Sequence, residues 1–156
     1  MVYPLHIDDR AGSRDLLAHL PPDTEPCRLD FGDAMIIGNG PTGDVTVGVE
    51  VKSVSDLLAS ASTGRLAGHQ LPGMLNLYDY CWLLSYGSYR PGRNNELQVR
   101  KGAGWRNFKI GIRPVPYGYL ESFLMDVAST GCRIKHVYNE AEAAAGLVVA
   151  HRWWAK

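Results

Sequence analysis

The sequence has no long apolar segment and few cysteines. No run of about 18 apolar residues occurs, so no membrane-spanning helix is expected. Residues 1–6 lack the basic and then apolar pattern of a secretory signal. The three cysteines are odd in number and widely spaced, which fits neither a disulfide framework nor a zinc motif. These absences predict reduced thiols in an intracellular protein, cytoplasmic if it is prokaryotic or phage-encoded.

The chain also lacks linkers, repeats and low-complexity tracts. Its 156 residues are enough to bury a core, and they predict a single domain over 1–156.

Charge is balanced overall but unevenly distributed. Residues 1–60 contain ten acidic and four basic side chains, whereas residues 61–156 contain six acidic and twelve basic ones. The densest basic stretch lies within 88–116 and carries Arg90, Arg93, Arg100, Lys101, Arg106, Lys109 and Arg113. Acidic residues that hold cations, beside a basic segment that meets phosphates, are typical of a metal-dependent phosphodiesterase. A solvated basic surface hairpin explains the same segment equally well.

Hydrophobic periodicity predicts strands that alternate with helices. Strands are expected at 2–7, 27–31, 34–37, 45–51, 81–86 and 133–138, and a Gly-rich hairpin at 97–110. Helices are expected at 13–20 with Ser13 as the N-cap, at 53–60 with Ser53 or Ser55 as the N-cap, at 65–78 with an interruption at Pro72-Gly73, at 117–129 and at 140–153. Residues 38–44 are expected to form a loop. The pattern predicts an α/β fold with a mixed central sheet flanked by helices.

The strand at 45–51 leads into an unusual charged pair. Glu50 and Lys52 lie two positions apart, so they project from the same face of a strand. A carboxylate from a neighbouring strand, such as Asp33 after Gly32, would complete an oxygen site for Mg²⁺. Alternating charges often mark only the solvent face of a strand. Here the strand is apolar, and burying an unpaired charged pair in it would be costly.

The order and spacing of these residues resemble the XPF-type endonucleases, which have a PD-(D/E)XK nuclease core. The matching segments are Ile7-Asp8-Asp9-Arg10, Gly32-Asp33, Glu50-Val51-Lys52, Asp56, Gly64-Arg65-Leu66, Gln70, Met74 and Trp82-Leu83-Leu84. Residues 119–150 are similar to the closing helix, strand and helix of the family. The resemblance implies a restriction-endonuclease-like fold into which 88–116 is inserted as a basic hairpin.

The resemblance also implies roles for individual residues. Asp33 and Glu50 would bind Mg²⁺, which Mn²⁺ would replace, together with the backbone carbonyl of Val51. Lys52 would be the catalytic lysine, and Asp8 an auxiliary acid that supports the ligands or faces a second cation. Three further residues would line the site: Asp56, Arg65 and Gln70. Asp56 could instead only favour a helix N-terminus, Arg65 could pair with a nearby acid, and Asp8 could be a turn residue.

The chain departs from the family pattern at several positions. Val51 replaces the central arginine of Glu-Arg-Lys, and Ala11 stands where an acid is usual. The helix-hairpin-helix domain that often follows the nuclease is not expected in this sequence. The segment 88–116 would supply DNA contacts instead, through Arg90, Arg93, Arg100, Lys101, Trp105, Arg106 and Lys109. Exposed aromatic residues in the last helix, Trp153 and Trp154, suggest a homodimer contact.

Three functions are compatible with this pattern. The first is a Mg²⁺-dependent endonuclease that cuts branched or partly single-stranded DNA such as flaps, forks or Holliday junctions. The second is a generic nuclease or junction resolvase with the same core, and the third is a non-catalytic DNA-binding scaffold.

Overall fold

The computed structural model describes residues 2–156. The strands are β1 (His6–Asp8), β2 (Glu25–Cys27), β3 (Ala34–Gly40), β4 (Gly43–Ser53), β5 (Tyr80–Tyr86), β6 (Tyr89–Pro91), β7 (Leu97–Lys101), β8 (Gly104–Asn107), β9 (Lys109–Ile110), β10 (Arg113–Pro114) and β11 (Arg133–Val137). The helices are α1 (Ala11–Arg14), α2 (Val54–Thr63), α3 (Leu71–Leu77), α4 (Tyr117–Ser129) and α5 (Glu140–Trp154). A 3-10 turn (Asp15–His19) follows α1, and a π-helical turn (Leu66–Gln70) precedes α3.

Six strands form a mixed sheet in the order β11-β5-β4-β3-β1-β2. Strands β4, β5 and β11 are parallel to one another, and β3 is antiparallel to both of its neighbours. The carboxyl ends of β1, β4, β5 and β11 therefore lie at the same edge of the sheet as the amino end of β3. This arrangement confirms the predicted α/β class with a mixed sheet flanked by helices.

Apolar layers cover both faces of the sheet. One layer contains Leu58, Leu83 and Leu120 and packs α2, α3 and α4 against the strands. The other contains Leu84 and Leu147 and packs α5 against the opposite face. Consecutive residues of β5 thus enter different layers, as expected for a strand buried on both faces. Full burial of each such side chain stabilises the fold by about 1.5–3 kcal/mol.

Side-chain caps define where the two helices beside the sheet edge begin. The Ser53 hydroxyl accepts a hydrogen bond from Asp56 N at 3.1 Å, and the Asn139 carbonyl oxygen accepts one from Glu142 N at 2.9 Å. The sequence predicted either Ser53 or Ser55 as the N-cap of α2, and in the structure the cap is Ser53. No helix within the described residues 2–156 is long and apolar enough to cross a bilayer.

Three local expectations are wrong. The loop expected at 38–44 is a tight hairpin, because β3 and β4 remain paired up to Gly40 and Gly43. The strand expected at 27–31 is displaced to β2, which pairs in parallel with β1. Ser13 was expected to cap a helix, but α1 begins at Ala11 and the Ser13 side chain has another partner, described below. In each case tertiary pairing overrides the local turn and capping preferences.

The segment 88–116 forms a second, smaller sheet. Strands β6, β7 and β8 pair antiparallel, and β7 and β8 form the predicted hairpin with its turn between Lys101 and Gly104. Leu97 and Val99 of β7 are buried against α4, so this sheet is continuous with the first apolar layer.

Candidate active site

A cleft of about 660 Å³ opens at the edge of the central sheet that contains the carboxyl ends of β4 and β5. It is lined by Gly12, Leu16, Asp33, Glu50, Val51, Lys52, Ser53, Asp56, Ala59, Ser60, Thr63, Arg65, Gln70, Tyr86 and Glu140. The structure therefore brings together the residues predicted as metal ligands, the predicted catalytic lysine and all three predicted auxiliary residues.

Asp33 is held rigidly between two strands. Gly32 precedes it with a φ of 85°, a left-handed conformation that glycine adopts without steric cost. Asp33 N donates to Val49 O at 2.8 Å, and Asp33 O accepts from Asp8 N at 2.9 Å. Its carboxylate accepts hydrogen bonds from Ser13 Oγ at 2.6 Å and from Val51 N at 2.7 Å. Both carboxylate oxygens are thereby oriented by the fold.

Glu50 lies almost completely out of solvent, with 5% of its surface exposed. Its Oε1 lies 3.2 Å from Lys52 Nζ and accepts a hydrogen bond from Gln70 Nε2 at 3.0 Å. Because Glu50 and Lys52 occupy alternate positions of β4, both project from the same face, as predicted. This face is the one that packs against α2 and α3, since Gln70 contacts Glu50 there.

Burial and the charge of a neighbouring carboxylate make each of these two carboxylates hard to ionise. Burial and the charge of Asp33 raise the pKa of Glu50 to about 7, although Lys52 and Arg65 oppose the shift. Burial also raises the pKa of Asp33, against the hydrogen bonds from Ser13 and Val51. A bound cation would relieve both penalties, because it supplies positive charge where two negative charges are desolvated together.

The donor set fits a hard divalent cation. Asp33 and Glu50 supply carboxylate oxygens, and Gln70 Oε1 is also buried near them without a hydrogen-bond partner among the described residues. Within residues 2–156, no three His, Cys, Asp or Glu side chains group together as a metal site. Two protein carboxylates suit Mg²⁺, because this ion keeps several waters in its octahedral shell.

Asp8 lies beside the cleft but is already engaged. It lines an adjoining pocket of about 230 Å³ that also contacts Asp33 and Glu50. Its carboxylate accepts a hydrogen bond from Arg10 Nε at 2.6 Å and another from Leu29 N at 3.0 Å. Burial raises the pKa of Asp8, but these hydrogen bonds outweigh it and the net shift is downward. The geometry favours a supporting role, in which Asp8 fixes Arg10 and the loop before Asp33.

The auxiliary residues differ in how deeply they enter the cleft. Gln70 contacts Glu50 directly, from the π-helical turn. Asp56 in the first turn of α2 and Arg65 just after its C-terminal end are exposed at the rim. Arg65 faces the site closely enough to lower the pKa of Glu50.

Sequence reasoning missed several residues around the site, including Tyr86 at the end of β5 and Glu140 at the start of α5, which both line the cleft. It also missed the role of Ser13, which lines the adjoining pocket and donates a hydrogen bond to Asp33 from α1. Tyr86 could have been found from its place at the carboxyl end of a strand parallel to β4. No sequence signal marks Ser13, because its contact with Asp33 spans 20 residues.

The predicted DNA-binding residues do not form one patch. Arg90, Arg100 and Trp105 share one face of the small sheet, and the Arg90 guanidinium lies 4.2 Å from the centre of the Trp105 ring. The other four positions are exposed but distributed elsewhere: Arg93 in the β6–β7 loop, Lys101 at the hairpin turn, Arg106 on the opposite face of β8 and Lys109 on β9.

Comparisons with known proteins concern the fold. No family model matches the chain, and no curated protein sequence matches it. Solved structures of XPF from Aeropyrum pernix do match, with a TM-score of 0.63 at 16% identity over 99% of this chain and 62% of that one. The same protein in complex with DNA matches with a TM-score of 0.66 at 17% identity, over 96% of this chain and 64% of that one. The chain thus spans less than two thirds of these structures, and it has the XPF-type nuclease fold that the motifs predicted.

Proposed function

We propose that this chain is a Mg²⁺-dependent DNA endonuclease that hydrolyses phosphodiester bonds, with a catalytic site formed by Asp33, Glu50 and Lys52. The observation that supports the proposal most directly is the buried pair of carboxylates with an ammonium group beside it. Such a pair costs stability in a metal-free protein and suits a place where a cation and a phosphate meet. The XPF-type fold supports the same reaction class by analogy.

Asp33 and Glu50 would hold the cation, with the carbonyl of Val51 and the amide oxygen of Gln70 as additional donors. A bound Mg²⁺ supplies Lewis acidity toward the phosphate and lowers the pKa of a coordinated water. Ser13 and the backbone N–H of Val51 keep the Asp33 carboxylate in one orientation, so that it need not reorganise during the reaction.

Lys52 has the position of an electrostatic catalyst. Its ammonium is buried in the cleft next to Glu50, with 11% of the side chain exposed. There it stabilises the negative charge that develops on the phosphate in the transition state, with little screening by water. Arg65 at the rim would contact a neighbouring phosphate, since its guanidinium is exposed on the cleft side.

We extend the proposal to branched DNA such as flaps, forks or Holliday junctions. One of the similar XPF structures is a complex with DNA, and the basic small sheet adjoins the cleft in this chain. A homodimer is a further part of the proposal, because Trp153 and Val149 leave an apolar strip exposed on α5. Trp154, which was also expected to be exposed, is instead buried in the core. Light scattering of the purified chain measures its mass and tests the dimer separately.

A cleavage assay tests the function. The chain is incubated with a labelled flap, a four-way junction and a plain duplex, each with Mg²⁺, Mn²⁺ or EDTA. We expect cutting of the branched substrates with either metal and none with EDTA. Glu50→Gln should abolish cutting, whereas Glu25→Gln, an exposed residue on β2, should leave it unchanged. Metal-independent binding without any cutting by the wild type would instead indicate a DNA-binding scaffold.

A further inference from the structure

The small sheet begins at the rim of the cleft. Tyr86 lines the cleft as the last residue of β5, and β6 starts at Tyr89 after Gly87 and Ser88. Leu97 and Val99 anchor the sheet in the core. A ligand held on the sheet is therefore held at a fixed position beside the cleft.

The two faces of this sheet have different chemistry. The inner face packs on α4, where Tyr89 also donates a hydrogen bond to Glu121 at 2.9 Å. The outer face carries residues paired across the strands: Arg90 opposite Gln98, Gln98 opposite Asn107, and Arg100 opposite Trp105. We call these five residues the outer face. None of them is acidic.

The outer face is ordered by its own contacts. Arg90 lies over the Trp105 ring at 4.2 Å from its centre, and Arg100 lies at 5.9 Å. Gln98 accepts a hydrogen bond from Arg90 Nε at 3.0 Å and donates one to Asn107 at 3.0 Å. Within residues 2–156, neither guanidinium takes part in an ion pair. Their charges thus stay available for a ligand beside the indole ring of Trp105.

This arrangement matches an unpaired nucleic-acid strand. Bases of a single strand stack on aromatic rings and on guanidinium planes, whereas the bases of a duplex are already stacked on each other. Amide side chains such as Gln98 and Asn107 can hydrogen-bond base edges, and the arginines can contact phosphates. An acidic protein partner would use the charges but would have no need of the ring and amides.

We propose that the outer face binds a single-stranded DNA segment and presents the adjoining duplex to the cleft. The part of this inference that places the duplex in the cleft rests on the proposed function. Binding of the single strand can be tested without cutting. The substrate class is then DNA with an unpaired arm, and Trp105 is the residue that distinguishes it from plain duplex.

Binding is measured in EDTA by fluorescence anisotropy, with a labelled oligothymidine of about 20 nucleotides and a blunt duplex of the same length. Trp105→Leu should weaken single-strand binding about tenfold at an unchanged salt slope, and Trp105→Phe should restore most of it. Arg100→Gln should reduce the salt slope by about 0.7, the amount expected for one lost phosphate contact. Arg152→Gln removes the same charge from the far end of α5 and should change neither quantity.

Several outcomes would overturn the inference. Equal losses for duplex and single strand in Trp105→Leu would indicate a general phosphate site, and no loss would exclude stacking. A salt-slope change in Arg152→Gln equal to that in Arg100→Gln would show that only total charge matters. Circular dichroism and thermal melting confirm that each variant is folded.

Cleavage separates this inference from the proposed function. If the outer face acts as proposed, Trp105→Leu lowers the rate of cutting of a flap with an unpaired arm more than it lowers the rate for a four-way junction, which has no unpaired arm. If Trp105→Leu cuts the flap at the same rate as the wild type, the inference about the outer face is wrong and the proposed function is unaffected. If the wild type binds the single strand but cuts no DNA, the proposed function is wrong and the inference about binding is unaffected.

Discussion

Replacing Glu50 with glutamine should stabilise the metal-free protein at mildly alkaline pH. Glu50 is buried beside Asp33, and these two features raise its pKa from 4.5 to about 7. The folded protein therefore binds this proton more tightly than the unfolded chain does. The associated stability is fully present below about pH 4.5 and is lost as the pH rises through about 7. Glutamine resembles the protonated acid and keeps a donor or acceptor in the site at every pH.

The size of the effect follows from the pKa difference. Each pKa unit corresponds to about 1.36 kcal/mol, so the ionised form of Glu50 costs at most about 3 kcal/mol at pH 8. At about pH 5 the same calculation gives less than about 1 kcal/mol. The attraction of Lys52 is already contained in the pKa, because this residue opposes the shift. A stabilisation of about 1–3 kcal/mol is therefore expected at pH 8 and little change at pH 5.

Urea unfolding followed by tryptophan fluorescence measures this difference in EDTA at both pH values. Glu25→Gln is the matched control, because the Glu25 side chain is 62% exposed and should show no such pH dependence. Added Mg²⁺ should increase the free energy of unfolding of the wild type once its concentration exceeds the dissociation constant. It should have little effect on Glu50→Gln. A Glu50→Gln variant that is less stable than the wild type at pH 8 without metal would refute the argument from burial and repulsion.

Three other substitutions test separate parts of the structure. Lys52→Met should lower the cleavage rate about 10²–10³-fold while calorimetry still detects Mg²⁺ binding; an unchanged rate would remove Lys52 from the mechanism. Ser13→Ala should weaken Mg²⁺ binding about 10–100-fold, because the Asp33 carboxylate loses its hydroxyl donor, and unaltered calorimetric affinity would contradict this. Gly48→Ala should destabilise the fold by about 1–3 kcal/mol in thermal melting, since a Cβ there would overlap the Tyr78 ring; Gly68→Ala, with open space around it, is the control.

Much of the site could be predicted because its parts obey local rules. The apolar alternation around Glu50 and Lys52 specifies a strand and puts both side chains on one face. Gly32 before Asp33 indicates a turn that returns the chain to that strand. These signals are local, and the structure places both carboxylates and the lysine in one cleft. The roles of these residues in catalysis stay a prediction.

Contacts between distant segments could not be predicted in the same way. The Ser13 hydroxyl was interpreted as a helix cap, yet it donates to Asp33. The sequence left open whether Asp8 supports the ligands or faces a second cation, and only the fold shows that its carboxylate already accepts hydrogen bonds from Arg10 and Leu29. The basic segment was expected to act as a whole, whereas its strands turn Arg106 away from Trp105.

Two kinds of information therefore define this protein. The sequence by itself determined the α/β class, the order of the central elements and the identity of the charged residues on β4, because backbone periodicity and turn chemistry act over a few neighbouring residues. Only the tertiary structure decided which carboxylates are desolvated together, which are neutralised by a partner and which basic residues share a face. Those properties depend on the distances and burial created when segments far apart in the chain pack against each other, and no local pattern encodes them.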